Sequence, residues 1–587
     1  MPFLPRSSIF RIGIPAVAGA TAVFALLGTD GFSPGTGAVA PADTDSHRYI
    51  VQSTDAAAAS DLVAAVGGDV ARSLAVIDGV VARLSDRELR ILREAGEAVT
   101  VTRDYAVQTA SKRKNGLSAR KSSVLEVAEP QQSMATASTR SSESLRSVNA
   151  PMLANALDLH ASGIDGRGVT VAVIDSGLWE VGGITRTPMH ERRILARYVP
   201  GGETSRSKTY DEHGHGTHVL SVIGSSNQDS QGRYEGLAPS SRLVAVKAFD
   251  ADGQGSYADV ISAIEVVVAA KDDHDIRVLN LSISAPVRSH YWEDPLNQAV
   301  MAAWEAGIVV VASAGNVGPD PMSIGVPGNV PYVITVGAMT DSYTPEDPSD
   351  DVLASFSSAG PTYEGFVKPE VVAPGGHLLG LMHPQSTIAQ QYPHFRDDDG
   401  VHFTMSGTSQ AAAVVSGVVA LMLQVDPLMS PDAVKCRIMA SGKVAIADDG
   451  AYAYSVFQQG AGKIDAYDAV YGSAMDCANQ GLDIAADLAG TAHFGGPANQ
   501  DADGQFYIMD AAGDPVSADG LLWSNGLLWS NGLLWSNGFV ESNGLLWSNG
   551  LLWSNGLLWS NSYTFAEPPL AGSSAAVAGV NTWVGQE

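Results

Sequence analysis

From Gly168 onward, short apolar runs alternate with stretches of helical length. Thr170-Val171-Ala172-Val173-Ile174 is almost wholly apolar and rich in β-branched residues. A run of this kind, too short for a helix, reads as a strand buried on both faces. Arg242 to Lys247, Val278 to Ile283 and Ile308 to Ala312 repeat the pattern. Between them, Tyr257 to Lys271 and Trp292 to Ala306 are long enough for helices. Strand and helix in alternation predict an α/β fold, a doubly wound and mostly parallel sheet with helices on both faces. Ligands on such sheets sit at the carboxyl ends of the strands. Asp175 follows the first of these strands, and Asn316 comes soon after the fourth.

The flanks read differently. Arg6 and Arg11 accompany an apolar run from Ile12 to Leu27. That run is short for a membrane-spanning helix and has the form of an export signal. We assign residues 1–40 to the signal, with Ala38-Val39-Ala40 as the cleavage pattern and an uncleaved anchor as the alternative. Residues 47–108 read as a small α+β unit. Tyr49-Ile50-Val51 and Val99-Thr100-Val101-Thr102 have strand composition, and Asp86 to Ala95 has helical spacing behind a capping Ser85. Residues 109–146, rich in Ser, Ala, Gln and Lys, have the composition of a flexible linker. Residues 147–475 carry the alternating pattern, 476–519 read as a linker or C-terminal extension, and 562–587 as a tail. Residues 520–561 hold seven six-residue units, six of them Gly-Leu-Leu-Trp-Ser-Asn. Six is a multiple of the strand period, so a stacked solenoid and a low-complexity Trp-rich tail both fit.

Composition narrows the partners. At 587 residues and 45% apolar, the chain can bury a large core. A net charge of −28 disfavours nucleic acid and anionic membranes, and fits a soluble exported protein. There are two cysteines, Cys436 and Cys477. A disulfide between them and a pair of free buried thiols stay equally open. No set of side chains has convincing metal-ligand spacing, so no metal site is assigned.

The chemistry lies in three glycine-bearing motifs. They are Ile174-Asp175-Ser176-Gly177, Gly214-His215-Gly216-Thr217-His218-Val219 and Ser406-Gly407-Thr408-Ser409-Gln410-Ala411. A serine hydroxyl is a weak nucleophile until a neighbouring base takes its proton. Histidine titrates near neutrality and can take and return that proton. A buried carboxylate fixes the imidazole tautomer and stabilises the imidazolium. Ser409 stands at a helix start, where free amides favour developing negative charge. Alone, each motif has a plain structural reading, as a capping residue or a core histidine.

Together and in this order, the motifs resemble the subtilisin-like serine proteases of peptidase family S8, over roughly Ser147 to Tyr471. The resemblance implies a catalytic triad of Asp175, His215 and Ser409, with His218 structural and His213 facing solvent. Ala314-Gly315-Asn316 looks like the oxyanion-hole segment, with Asn316 as a donor. Gly253 and Gly255 match the edge that pairs with the substrate backbone. Ser282 and Ser284 match the segment flanking the specificity pocket, and Ala314 and Gly315 join them as expected substrate-binding residues. The family commonly has two glycines where Ser284 and Ala285 stand; the added bulk narrows the pocket, and an apolar substrate side chain is the expectation. Gln410 replaces the usual Met beside the nucleophile, which predicts better survival in peroxide.

The same likeness makes 47–108 an inhibitor-like pro-domain, a partner that assists folding and blocks the site until cut away. The expected protein is a secreted or cell-surface serine endopeptidase that hydrolyses protein or peptide substrates through an acyl-enzyme. A protease-derived adhesion or assembly protein, attached to a surface by the Trp-rich repeats, is the alternative. No cofactor is expected to be required; calcium is common in the family, but no ligands for it can be identified.

Overall fold

The computed structural model describes residues 46–94, 99–109, 150–447, 451–501, 503–509, 515–516 and 579–580. The assigned signal 1–40, nearly all of the linker, the repeats 520–561 and most of the tail lie outside the described residues.

The N-terminal unit comprises β1 (His47–Gln52), α1 (Ala56–Val66), β2 (Asp69–Leu74), β3 (Gly79–Leu84), α2 (Asp86–Glu94) and β4 (Thr100–Arg103). Its antiparallel sheet runs β2-β3-β1-β4. Tyr49, Val51, Val63, Val80, Leu84 and Leu92 form a core of its own. Ser85 caps α2 together with Glu88, whose carboxylate accepts the Ser85 N–H at 2.8 Å. Helix α1 carries little large apolar surface, being mostly alanine, and the sequence pattern did not reveal it. Asp55 starts it by accepting the Ala58 N–H, and Gly67, at φ 92°, ends it. A further strand, β5 (Ala106–Thr109), leaves this unit for the main domain.

In the main domain, β6 (Thr170–Asp175), β7 (Ile194–Tyr198) and β8 (Arg242–Lys247) precede a short outlying strand, β9 (Gln254–Ser256). Then follow β10 (Ile276–Leu281), β11 (Val309–Ser313), β12 (Ile334–Thr340), β13 (Val352–Leu353) and β14 (Val371–Pro374). The eight-stranded sheet runs β13-β12-β11-β10-β6-β8-β7, with β14 paired to β12. All pairings are parallel except the edge pair β12/β13. Every residue of β6, β11 and β12 is buried, as the unbroken apolar runs require. Helices α3 (His215–Gly224), α4 (Tyr257–Ala269), α5 (Pro295–Glu305) and α6 (Thr408–Val425) cover the sheet. Helix α6 is long and apolar enough to cross a membrane, but 89% of it is buried in the core. Ahead of α6, a hairpin of β15 (Leu378–Leu381) and β16 (His402–Met405) carries a small cluster of Met382, Ile388, Ala389, Phe403 and Met405.

The described part of 476–519 is folded against the main domain. Its short helix, Ile484–Leu488, brings Asp487 to accept hydrogen bonds from the Tyr291 and Tyr332 hydroxyls, at 2.6 and 3.0 Å. Cys436, on α7 (Pro431–Ala440), is joined to Cys477 by a disulfide, with Cα atoms 5.2 Å apart.

Candidate active site

Asp175 is the last residue of β6, His215 the first of α3, and Ser409 the second of α6. A strand end and two helix starts thus converge at the carboxyl edge of the sheet. The His215 Nδ1–H donates to Asp175, with Oδ1 at 2.8 Å and Oδ2 at 2.9 Å. The acceptor-only carboxylate sets the tautomer, leaving Nε2 free of a proton. That Nε2 is 3.0 Å from Ser409 Oγ. The serine hydroxyl also lies 3.1 Å from the backbone oxygen of Ser282.

The imidazole responds to opposing influences. Burial pushes its pKa down, but the charge and hydrogen bond of Asp175, and behind it the charge of Asp211, leave it raised above 6.5. The sequence reading missed Asp211. It is fully buried and accepts from Gly214 N at 2.7 Å, Ser176 Oγ at 2.8 Å, Thr217 N at 2.8 Å and Thr217 Oγ1 at 2.6 Å. Burial would raise the Asp211 carboxyl, but the bonds from Thr217 and Gly214 hold it below its usual range. Ser176 Oγ accepts the Gly216 N–H at 2.9 Å, so one hydrogen-bonded network fixes both the Asp175 turn and the first turn of α3. Gly214, at φ 104°, makes the left-handed turn into that helix. Ser176 lies in the Asp-Ser-Gly motif and Asp211 four residues before His215, but neither position signals that the two meet.

His213, expected at the surface, is only 2% exposed. Burial and the neighbouring His215 depress its pKa to about 4, so it is neutral near pH 7. His218 is buried too, with Nε2 3.0 Å from the Phe403 oxygen and its pKa lowered to about 3, mainly by burial. Gln410 Nε2 approaches Met405 Sδ at 4.0 Å, so a buried thioether lies beside Gln410.

Asn316 Oδ1 accepts from Thr408 N at 3.0 Å and from Thr408 Oγ1 at 2.8 Å. With its oxygen held by Thr408 at the start of α6, the amide is fixed against the residue that precedes Ser409. Gly315, at φ 113°, makes the bend that carries Asn316 there, and its N–H donates to Thr408 Oγ1 at 3.2 Å. Ser282 Oγ donates to the Ser409 backbone oxygen at 3.0 Å. Ser284 and Ala314 are buried on the two segments that extend β10 and β11.

Gly255 lies in β9 and Gly253 immediately before it. The β9 edge is already paired: β5 lies antiparallel to it, with Ala106 opposite Ser256 and Val107 opposite Gly255. Tyr257 N donates to the Tyr105 oxygen at 2.9 Å, and Ala258 N to Asp104 Oδ1 at 2.9 Å. Among the described residues, no group of three or more His, Cys, Asp or Glu side chains is arranged to hold a metal ion.

Residues 166–462 match the Subtilase family, peptidase S8. Over 314 residues the chain is 38% identical to serine protease AprX of Bacillus subtilis, covering 53% of this chain and 67% of that protein. Over 283 residues it is 34% identical to a subtilisin of Bacillus pumilus, covering 48% of this chain and 86% of that protein. Subtilisin E of Bacillus subtilis gives the same identity over the same length, with 62% of that protein covered.

Proposed function

The chain belongs to the subtilase family and is a serine endopeptidase, and from that premise we propose that Asp175, His215 and Ser409 cleave peptide bonds through an acyl-enzyme. The observation that carries this is the unbroken relay from carboxylate to imidazole to hydroxyl, at 2.8 and 3.0 Å. In the first step, His215 Nε2 takes the Ser409 proton as Oγ attacks the substrate carbonyl carbon. The carbonyl oxygen becomes an anion, stabilised by the Asn316 side-chain amide and the Ser409 backbone N–H. The imidazolium, held by Asp175, returns the proton to the departing amine, and the C–N bond breaks. Water then attacks the ester by the same route: His215 takes a proton from water and returns it to Ser409 Oγ, which releases the acid.

The N-terminal unit acts in this reading as an intramolecular inhibitor. Strand β5 takes the edge of β9 that a substrate backbone would pair with. Arg72 pairs with Asp259 at 3.2 Å, and the Arg288 guanidinium lies 4.2 Å from the centre of the Tyr105 ring. Export follows from the apolar run after Arg6 and Arg11; activity confined to the cell interior of the native host would refute it.

Ser409→Ala tests the whole scheme. The variant is expected to lose peptidase activity and labelling by a fluorophosphonate, and to keep the N-terminal unit covalently attached where the wild type separates into two polypeptides. Turnover retained by the variant rejects the nucleophile assignment. Separation of the unit in the variant rejects self-cleavage.

A further inference from the structure

The crevice beside Ser409 is formed by two segments tied at their base. One wall, Ser282 to Ala285, continues β10, and the other, Ala314 to Asn316, continues β11. The floor is Gly325 and Val326. Ala285 and Val326 exchange backbone hydrogen bonds at 2.8 and 2.7 Å, and Gly325 N donates to the Ala314 oxygen at 3.1 Å. Both walls are therefore fastened to the floor, and the crevice cannot widen without breaking these bonds.

In the proposed reading, with a substrate carbonyl carbon at Ser409 Oγ and its oxygen toward Asn316, we place the side chain on the acyl side of the scissile bond between these two walls. The space is already crossed by Ser284. A methyl group placed on Gly325 would lie 2.1 Å from Ser284 Oγ. One placed on Gly315, across the crevice, would lie 2.8 Å from the same atom and 2.9 Å from Ser358 Oγ. The Ser284 side chain thus reaches from its own wall to the floor and to the opposite wall. It is 8% exposed, so the hydroxyl is packed into this space rather than turned to bulk water.

We propose that Ser284 closes the crevice to all but the smallest side chains, so that this protease cuts after Gly, Ala or Ser and rejects aromatic and large aliphatic residues. On this proposal size, rather than apolar character alone, decides which side chain is accepted. The inference rests on the serine-protease reading of Ser409.

The test uses the purified protein and peptide substrates identical except for the residue before the scissile bond, Ala against Phe. Excluding a side chain that cannot enter should favour Ala in kcat/KM by about a hundredfold or more. Ser284→Gly should cut that preference at least about tenfold by opening the crevice, with its melting transition reporting that the variant is folded. Ser284→Ala, which keeps Cβ but removes the hydroxyl, should fall between the two. Wild-type cleavage of Phe within about threefold of Ala overturns the proposal, as does a Ser284→Gly variant with an unchanged ratio. Failure of a fluorophosphonate to label Ser409 overturns the parent reading instead, and is seen independently of either ratio.

Discussion

Replacing Asn316 by Ala separates ground-state from transition-state binding. The Asn316 oxygen is committed to Thr408 N and Oγ1, at 3.0 and 2.8 Å. Its amide nitrogen is the donor we assign to the anionic oxygen forming at the carbon bonded to Ser409. The substrate carbonyl is neutral before attack, so this donor matters mainly once charge develops. Removing one such donor costs about 3 kcal/mol of barrier, or roughly 150-fold in kcat. KM should stay within about threefold, because little ground-state binding is lost. A second cost appears elsewhere. The Thr408 N–H is buried at the start of α6 and loses its acceptor, which lowers stability by about 1–3 kcal/mol without touching kcat. Steady-state kinetics on a single peptide substrate, with a melting curve beside it, resolve the two effects. A fall in kcat of less than about tenfold, or a loss carried mainly by KM, would refute the oxyanion assignment.

Two further outcomes follow from the buried charges. The His215 imidazole must be neutral to act as base, so activity is lost as pH falls through its raised pKa. Asp211→Asn removes one of the charges that raise it, and the acid limb of kcat/KM should move to lower pH; a limb that stays or moves upward contradicts the network described here. Glu370, buried between two lysines, accepts from Lys368 Nζ at 2.6 Å and lies 2.9 Å from Lys435 Nζ. Burial, opposed by Glu370, pulls the Lys368 pKa down to about 7. Glu370→Gln leaves these ammonium groups without their anion and should cost about 3–5 kcal/mol; denaturant unfolding in a Ser409→Ala background measures it, and a loss under about 1 kcal/mol would show that the pair carries no such weight.

Much of the main domain was legible because its strands are buried on both faces. An unbroken run such as Val171 to Ile174 has few other structural uses, and its boundaries in the folded chain shift by only a residue or two. Position relative to those strands made Asp175 and Asn316 visible as candidates. Helix α1 was illegible because alanine barely marks an apolar face. The order in the extension after Cys477 was hidden as well, since Asp487 gains its partners only when Tyr291 and Tyr332 arrive from far along the chain.

By itself the sequence determined which groups are present: a serine at a helix start, a carboxylate at a strand end, an amide after a bend, and a second serine at 284. Tertiary structure alone decided their relations. It buried His213, placed Asp211 behind the imidazole, laid β5 along β9, and packed Ser284 against Gly315 and Gly325. The division is physical. Strand and helix preference act between near neighbours, whereas burial, hydrogen-bond reach and the space left for a substrate depend on segments that meet only when the sheet closes around its core.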